Sequence, residues 1–446
     1  MDLFAIPVEG KFIIYRPLLQ LAFVGNRAMS DVALGSANRE PFSDAGVSEE
    51  VGVFLRAIGF FNPDPPRPLP PNLAYRPTTA VLLMTNRCNL RCTYCYAAGG
   101  EGTAQDLAPE LAQVVIDRVY QNAVDLGEPR FELTFHGGGE PVTAWKTLRE
   151  ATAYARSKNL PCHVSLVSNG VWTARQREWI LHNTDSLSIS FDGGQATQDR
   201  QRPTASGRGS FKAVMRTLAA LDQAKFSYGI RMTATAPWRE RLPEDVRFIC
   251  EKTGCPAMQV EPAFNTRRGE HRGPTQEESE AFVDAFMEAF EIANRAGRQL
   301  TYSGARPWLL AQTFCTAPYG ALIVNAAGNL VACYEVASDN HPLAEMSVMG
   351  RVVGSQIVED TPAREALMQQ LETKRARCQD CFCYWHCAGD CYTRSSVAEP
   401  GATPSPRCYM NREITARILL WYIMAGDGVS RGQGLHPQEM QLMRAF

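Results

Sequence analysis

The stretch Cys88-Asn-Leu-Arg-Cys92-Thr-Tyr-Cys95 places three thiols within eight residues, shortly after an apolar run at residues 79–84. Three thiolates this close together can wrap one metal centre, and a cubane iron–sulfur cluster normally takes four thiolates, one for each iron. The loop therefore predicts a cluster with one iron left open for a ligand that the protein does not supply. The alternative is a zinc site with its fourth ligand elsewhere, but such sites favour Cys-x2-Cys pairs.

The rest of the composition is that of a large globular protein. The 446 residues include 14 cysteines, 45% hydrophobic and 21% charged residues, which predicts two or three domains and excludes disorder of the whole chain. Lys and Arg number 45 against 47 Asp and Glu, a balance that argues against nucleic acid as the main partner. Because no secretory signal and no membrane-spanning apolar run is recognisable, we expect a cytoplasmic location, where cysteines serve metals or catalysis rather than disulfides.

Strand and helix patterns alternate after the cysteine loop. Six segments have the apolar pattern of strands, at residues 79–84, 131–135, 163–167, 187–190, 228–233 and 258–261, and most are separated by amphipathic helices. Repeated βα units predict a parallel sheet with right-handed crossovers. The fold class is therefore α/β, with six units that can curl into a partial barrel whose site lies at the carboxyl ends of the strands.

Composition shifts predict five regions. Residues 1–61 have the pattern of a small α+β unit, with a hairpin from residues 11–24 and a helix at residues 49–58. A semi-rigid linker is predicted next, because residues 61–77 carry seven of the 28 prolines. The predicted regions are the N-terminal unit (1–61), the linker (62–78), the barrel (79–300), a cysteine-rich domain (301–410) and a C-terminal helix with its tail (411–446).

The cysteine loop resembles the cluster-binding loop of the radical S-adenosylmethionine (radical SAM) enzymes, with Tyr94 as the aromatic residue that usually precedes the third cysteine. Further segments resemble family motifs, each at the end of a predicted strand or just after it: His136-Gly-Gly-Gly-Glu140-Pro141, Ser168-Asn-Gly170, Ser188-Ile-Ser-Phe-Asp192-Gly193, and the arginines Arg200 and Arg202. The fourth strand departs from the family pattern by one extra residue between Ser188 and Asp192.

The resemblance implies a [4Fe-4S] cluster on Cys88, Cys92 and Cys95, with SAM on its open iron. One electron from the cluster then cleaves SAM to methionine and a 5′-deoxyadenosyl radical, which abstracts a hydrogen from the substrate. The residues that the resemblance places around SAM are Tyr94, Gly138, Gly139, Glu140, Ser168, Asn169, Ser190, Asp192 and Arg202.

A second set of seven cysteines follows the barrel region, with the pattern Cys315-x12-Gly328-x4-Cys333, Cys378-x2-Cys381-x5-Cys387-x3-Cys391 and Cys408. This pattern resembles the SPASM extension found on a subset of radical SAM enzymes. The resemblance implies two auxiliary [4Fe-4S] clusters, the first on Cys315, Cys333 and Cys391 and the second on Cys378, Cys381, Cys387 and Cys408. The first then lacks a fourth cysteine, so substrate, a non-cysteine ligand or, as runner-up, Cys383 would complete it. Core packing is expected of Cys162, Cys250, Cys255 and Cys383.

The family further implies a peptide substrate. We expect a maturase of a ribosomally made precursor peptide that installs a thioether or carbon–carbon crosslink, served by an electron donor such as flavodoxin or ferredoxin. One alternative is oxidation of Cys or Ser to formylglycine, as in anaerobic sulfatase maturases; those relatives place an Asp base where Tyr334 and Glu335 follow Cys333 here. Tyr334 and Glu335 are the candidates for proton transfer, although either residue can equally be structural.

Two further alternatives remain open at this point. The N-terminal unit is similar in outline to the leader-recognition domains of peptide maturases, which bind a leader as an added strand, but it can equally be a cap on the open barrel. The whole chain can also be a non-catalytic binding protein stabilised by zinc or by degenerate clusters.

Overall fold

The computed structural model describes residues 2–37, 48–69, 74–236, 239–264, 266–268, 272–393 and 405–432. Packing divides the chain into two compact units. The first unit contains the described residues of 1–71, 303–314 and 373–438, and the second contains those of 72–302 and 315–372. These units interleave along the chain, whereas the five regions predicted from the sequence follow chain order. The predicted boundaries therefore stay predictions.

The strands in chain order are β1 (Phe4–Val8), β2 (Lys11–Arg16), β3 (Leu21–Gly25), β4 (Thr79–Leu83), β5 (Phe131–His136), β6 (Cys162–Ser168), β7 (Ser186–Ser190), β8 (Tyr228–Ala234), β9 (Ala257–Pro262), β10 (Gln299–Thr301), β11 (Ala321–Val324), β12 (Asn329–Val331), β13 (Val348–Val353), β14 (Gln356–Glu359) and β15 (Val429–Arg431). The helices are α1 (Arg27–Ala37), α2 (Glu49–Ala57), α3 (Pro109–Leu126), α4 (Trp145–Arg156), α5 (Ala174–Asn183), α6 (Gln195–Gln201), α7 (Phe211–Gln223), α8 (Leu242–Lys252), α9 (Gln276–Arg295), α10 (Ala317–Gly320), α11 (Ala344–Ser347), α12 (Thr361–Ala376), α13 (Tyr384–Cys387) and α14 (Pro406–Ala425). Among the described helices, none has both the length and the apolar character needed to cross a membrane.

The second unit is built on one large sheet in the order β10-β9-β8-β7-β6-β5-β4-β11-β12-β13-β14. Strands β4 to β10 are parallel and lie in sequence order, as repeated βα units dictate. The predicted α/β fold with six barrel strands is therefore confirmed. The sequence reading missed β10 because it has only three residues, and it missed β11 to β14 because these strands lie among loops rather than in βα repeats.

The barrel strands alternate between an apolar and a polar face. On one face, β5 to β9 carry fully buried side chains such as Leu133, Leu166 and Ile189, which supply the core under the helices. On the other face the register pairs Thr134 with Ser165 and places Arg231 beside Gln259. A polar inner face is what an open barrel needs if a polar molecule is to enter it.

The first unit joins the two ends of the chain. Its antiparallel sheet has the order β1-β2-β3-β15, so a strand that follows α14 completes a sheet begun by the first 25 residues. The predicted hairpin is present as β2 and β3, but β1, α1 and β15 were not expected. Helix α14 begins at Pro406 rather than at residue 411, because the Ser405 hydroxyl caps it by accepting from the Cys408 N–H, and Cys408 therefore lies in its first turn.

Candidate functional site

The loop after β4 carries Cys88, Cys92 and Cys95, and two of the three sulfur atoms accept backbone hydrogen bonds. The Leu90 N–H lies 3.4 Å from the Cys88 Sγ, and the Gly99 N–H lies 3.3 Å from the Cys95 Sγ. Burial raises the pKa of Cys88 to about 12, so binding of iron there would release a proton. Sulfur atoms that accept N–H groups suit the thiolate ligands of an iron–sulfur cluster, and the loop therefore fits the group that its spacing implies.

Arg268, which follows β9 in the chain, holds this loop from outside the motif. Its guanidinium donates to the carbonyl oxygens of Cys92 (3.0 Å) and Gly99 (3.1 Å). Its backbone N–H donates to the carbonyl oxygen of Cys95 (3.1 Å). Glu101 accepts from the Arg268 Nε at 2.7 Å. Sequence reasoning missed Arg268, because nothing local marks an arginine in a loop 176 residues beyond Cys92 as a partner of that loop.

The glycine triplet after β5 passes directly under the cysteine loop. The Gly139 N–H donates to the Thr85 carbonyl at 2.6 Å, and a side chain at Gly139 would overlap the carbonyl oxygen of Arg87. Gly138 has φ +97°, and a Cβ there would lie 2.7 Å from that of Ala337. These two positions therefore need glycine for the approach of one backbone to another. Their predicted contact with SAM stays a prediction.

The Glu140 carboxylate joins this motif to the one after β6. Its two oxygens accept from the Ser168 hydroxyl at 2.6 Å and from the Asn169 N–H at 2.8 Å. The Trp172 indole donates to the Ser168 hydroxyl at 2.8 Å, and the Asn169 amide nitrogen lies 3.9 Å from the Cys88 Sγ. The structure thus brings Glu140, Ser168 and Asn169 together beside the first cysteine. Burial raises the pKa of Glu140 to about 7 despite these hydrogen bonds.

This shift predicts a pH dependence of stability. The folded pKa of Glu140 lies above its ordinary value of 4.5, so its contribution to stability is fully present below about pH 4.5 and is lost as the pH rises through about 7. A difference of this size corresponds to about 3 kcal/mol. We expect metal-free wild-type protein to lose most of this free energy of unfolding between about pH 4 and about pH 8, relative to Glu140→Gln. Urea unfolding of both proteins measures it, and parallel pH profiles would contradict the assignment.

Asp192 is a buried hub just beyond the end of β7. Its Oδ2 accepts from the Tyr94 hydroxyl (2.6 Å), the Gln201 amide (2.9 Å) and the Arg202 Nε (3.0 Å). Its Oδ1 accepts from the Thr233 N–H at 3.0 Å. With its carboxylate engaged by four protein donors, Asp192 positions Tyr94 and Arg202. The predicted direct contact of Asp192 with SAM stays a prediction.

Arg202 and Arg200 differ sharply in environment. The Arg202 side chain is 8% exposed, lies over the Tyr94 ring at 5.1 Å and points its Nη1 to within 3.9 Å of the Cys92 Sγ. Burial lowers the pKa of Arg202, but the Asp192 charge more than offsets this and raises it, so the cation is permanent. Arg200 is exposed. Of the two arginines, only Arg202 supplies a positive charge beside the cysteine loop.

His136 and Tyr334 form a stacked pair within the second unit. Their ring centroids are 5.0 Å apart and the planes are inclined by 29°. The His136 Nδ1 accepts from the Gly137 N–H at 2.8 Å, which places the ring proton on Nε2. Burial, together with the charge of Arg231, lowers the pKa of His136 to about 3, so this imidazole stays neutral. Sequence reasoning did not assign it a role.

The predicted proton-transfer residues lie beside two cysteines of the second set. Burial first, and then the neighbouring Cys315, raises the pKa of Tyr334, which keeps its hydroxyl protonated. Glu335 is half-buried, and its N–H lies 3.5 Å from the Cys333 Sγ. Ser190, a predicted SAM contact, is half-buried at the end of β7, in register with Arg231 of β8.

Five cysteines of the second set lie in the first unit, and four of them are the predicted ligands of the second auxiliary cluster: Cys378, Cys381, Cys387 and Cys408. Burial raises the pKa of Cys387, and the negative charges of Cys381 and Cys408 raise it further. Burial and the same two charges also raise the pKa of Cys378. The four thiols are therefore near neighbours. The Asn411 amide nitrogen lies 3.4 Å from the Cys387 Sγ, a donor suited to a cluster thiolate.

Within the described residues, no three His, Cys, Asp or Glu side chains take up the geometry of a single metal ion. A cubane binds each thiolate to a different iron and needs the sulfur atoms farther apart, so this finding does not test it.

The other three cysteines of the second set are divided between the units. Cys315 and Cys333 are half-buried in the second unit, and the Ala317 N–H lies 3.4 Å from the Cys315 Sγ. Cys391 belongs to the first unit and lies 3.1 Å from the Thr393 hydroxyl. Their predicted sharing of one cluster stays a prediction. Among the cysteines expected to pack, three are buried and one is half-buried: Cys162, Cys255 and Cys383, and Cys250.

Residues 82–236 match the sequence profile of the Radical SAM superfamily, and this range includes the end of β4, the cysteine loop, the glycine motif and β5 to β8. These residues form a radical SAM domain. The chain is 26% identical to the sporulation killing factor maturation protein SkfB of Bacillus subtilis over 317 residues, which are 68% of this chain and 70% of SkfB.

Two solved structures have a fold similar to that of this chain. The structure of anSMEcpe with bound AdoMet has a TM-score of 0.59 at 16% identity and covers 78% of this chain and 99% of its own. Streptococcus suis SuiB bound to precursor peptide SuiA has a TM-score of 0.51 at 12% identity, with 88% and 94% covered. The resemblance noted in the sequence is thus confirmed for the radical SAM domain and for the fold.

Proposed function

We propose that this chain is a radical SAM maturase of a ribosomally made precursor peptide. The observation that carries the proposal is the convergence of Glu140, Asn169 and Arg202 on a three-cysteine loop whose sulfur atoms each have an N–H group near them. An iron–sulfur cluster bound there would supply the electron that cleaves SAM to the hydrogen-abstracting 5′-deoxyadenosyl radical. A peptide substrate is supported by SkfB, which is named as a maturation protein, and by SuiB, which is seen with a precursor peptide.

The residues of this domain divide the work of binding SAM. We assign the cluster to Cys88, Cys92 and Cys95, the SAM ammonium to the buried acceptor Glu140, and the SAM carboxylate to the permanent cation Arg202. The network around Asp192 fixes Tyr94 and Arg202 so that little reorganisation accompanies binding. Ser168, Asn169 and Ser190 line the ends of neighbouring strands and complete the proposed SAM contacts with Gly138 and Gly139.

The bond that we propose is a thioether or carbon–carbon crosslink within the peptide. Its formation removes one hydrogen atom by the radical and then one further electron and one proton, and we assign that electron to an auxiliary cluster on the second set of cysteines. Flavodoxin or ferredoxin would return electrons to the first cluster in the cytoplasm. Oxidation to formylglycine is a second candidate, favoured by a fold that matches 99% of the anSMEcpe chain.

The proton would leave through Tyr334 or Glu335. Because burial keeps the Tyr334 phenol protonated, we assign it a hydrogen-bond donor role and leave Glu335 as the base. We expect Tyr334→Phe, which retains the stack on His136, to leave SAM cleavage intact while peptide product falls roughly 100-fold. Glu335→Gln is expected to act in the same way. Quantifying 5′-deoxyadenosine and product from one reaction tests this, and a parallel loss of both would contradict the assignment.

The test of the function is an anaerobic reaction with a candidate peptide encoded by a short reading frame next to the gene. A crosslinking maturase would form 5′-deoxyadenosine and a peptide lighter by two hydrogen atoms that does not react with a hydrazide. Formylglycine would react with the hydrazide, which identifies the second candidate. A colourless zinc protein that leaves SAM intact would show instead that the chain is a non-catalytic binding protein.

A further inference from the structure

The N-terminal sheet packs against a second segment rich in cysteine, residues 378–391, which we call the C-terminal cysteine segment. Ile13 and Tyr15 of β2 share one buried cluster with Phe382 and Cys383, and Cys381 and Cys387 pack against the same cluster. The remaining buried members come from β1, β3 and α14: Ile6, Ala22, Leu419 and Ile423. One face of the sheet therefore covers two of the four cysteines that are the predicted ligands of the second auxiliary cluster. All of these residues belong to that unit.

Polar contacts at the edge of this cluster tie the same segments together. The Trp385 indole, two residues before Cys387, donates to the Asp2 carboxylate at 2.7 Å. Arg67 lies over the Trp385 ring at 5.7 Å and pairs with Asp2 at 3.3 Å. These contacts anchor the chain just before β1 beside Cys387. A sheet that merely connected segments of the chain would not require such an anchor.

Both edge strands of the sheet, β15 and β1, are poor templates for an added strand. Strand β15 has only three residues, and it pairs with β3 from Val429 opposite Phe23 to Arg431 opposite Leu21. At the other edge, β1 pairs only with β2 among the described residues, and β1 contains Pro7. Proline has no N–H to donate to an added strand. The sheet is therefore poorly suited to bind a leader peptide by strand addition, whereas it packs extensively on the C-terminal cysteine segment.

We propose that the N-terminal sheet is the solvent shield of the auxiliary cluster on Cys378, Cys381, Cys387 and Cys408, a role that rests on the auxiliary clusters of the proposed function. Solvent exposure tunes the potential and the lability of iron–sulfur clusters, because water stabilises the more highly charged reduced state and brings competing ligands to the iron. An apolar sheet held over two of the four ligands restricts both effects.

Adjacent residues of β2 provide a matched test. Ile13 and Ile14 are both fully buried, but they lie on opposite faces of the sheet. Ile13 faces the C-terminal cysteine segment, whereas Ile14 faces α1 and α2 in a separate cluster with Phe23 and Leu55. We expect Ile13→Thr to accelerate the loss of about four of roughly twelve irons to a water-soluble chelator by at least about fivefold. Ile14→Thr places the same polar group on the other face and should lose iron at the wild-type rate.

A second pair of variants guards against misfolding of the core mutants. Asp2→Ala removes the Trp385 contact without opening the core and should also accelerate this loss, whereas Asp31→Ala on the exposed face of α1 should not. The full-length protein is reconstituted anaerobically, and iron release and the electron paramagnetic resonance signal are followed together. Equal release from Ile13→Thr and Ile14→Thr, or from Asp2→Ala and Asp31→Ala, would overturn the shield.

The assignment of the cluster itself is tested separately with Cys378→Ala combined with Cys381→Ala. Loss of about four irons supports the auxiliary cluster on which the shield rests. An unchanged iron content would overturn that cluster assignment and the shield with it, while SAM cleavage by the first cluster would still report on the radical SAM function.

Discussion

Replacement of Cys88, Cys92 and Cys95 together by alanine is expected to abolish reductive cleavage of SAM while the protein stays folded. The three cysteines are half-buried, and the sulfur atoms of Cys88 and Cys95 accept hydrogen bonds from the loop rather than holding it in place. Arg268 and the carbonyl oxygens it binds still hold the loop. Iron should fall from roughly twelve to roughly eight atoms per chain, because the auxiliary clusters are bound by other cysteines. Iron analysis and quantification of 5′-deoxyadenosine after reduction measure both effects.

The control for this variant is Cys162→Ala. Cys162 is buried at the start of β6, at the opposite end of the strand from the cysteine loop. This change should cost a little stability and leave both the iron content and the yield of 5′-deoxyadenosine unchanged. If the triple variant still cleaves SAM, the catalytic loop has been misassigned.

The barrel is predictable from the sequence because its signals are local and long. Helix α3, Pro109–Leu126, has clear boundary signals in the sequence, because proline opens it and Gly127, with φ +69°, closes it. The capping box of Thr275 and Glu278, which is a local sequence signal, opens α9. Each barrel strand lies within two residues of its predicted limits, since an apolar run flanked by helical periodicity has one consistent interpretation.

The missing parts depend on residues far apart in the chain. The three-residue β15 has no pattern of its own and exists because β3 provides a partner some 400 residues away. Arg200 and Arg202 both belong to the segment that resembles the family, and only the fold shows that Arg200 is exposed and that Arg202 is buried beside Asp192. The glycines at 138 and 139 were expected to admit a ligand, yet the contact that excludes a side chain at Gly139 is the carbonyl of Arg87.

Replacement of Arg202 by methionine should destabilise the domain and prevent productive binding of SAM. Methionine retains much of the volume but leaves the fully buried Asp192 carboxylate without its cation. Removal of one partner of a buried ion pair costs about 3–5 kcal/mol. We expect a loss of this order in the free energy of unfolding, measured by urea unfolding of the metal-free protein at pH 7. Arg200→Met changes an exposed side chain of the same type and should be nearly neutral.

A double variant separates the structural part of this effect from the role in binding SAM. In Arg202→Met/Asp192→Asn the buried charge is gone, while the amide oxygen can still accept from the Thr233 N–H and the amide nitrogen can donate to the Tyr94 hydroxyl oxygen. Because the double variant no longer buries an unpaired charge, much of the lost free energy of unfolding should return. SAM cleavage should not return, since the cation 3.9 Å from the Cys92 Sγ is still missing. Recovery of both properties together would show that Arg202 only supports the fold, and recovery of stability alone would assign its positive charge to the cofactor.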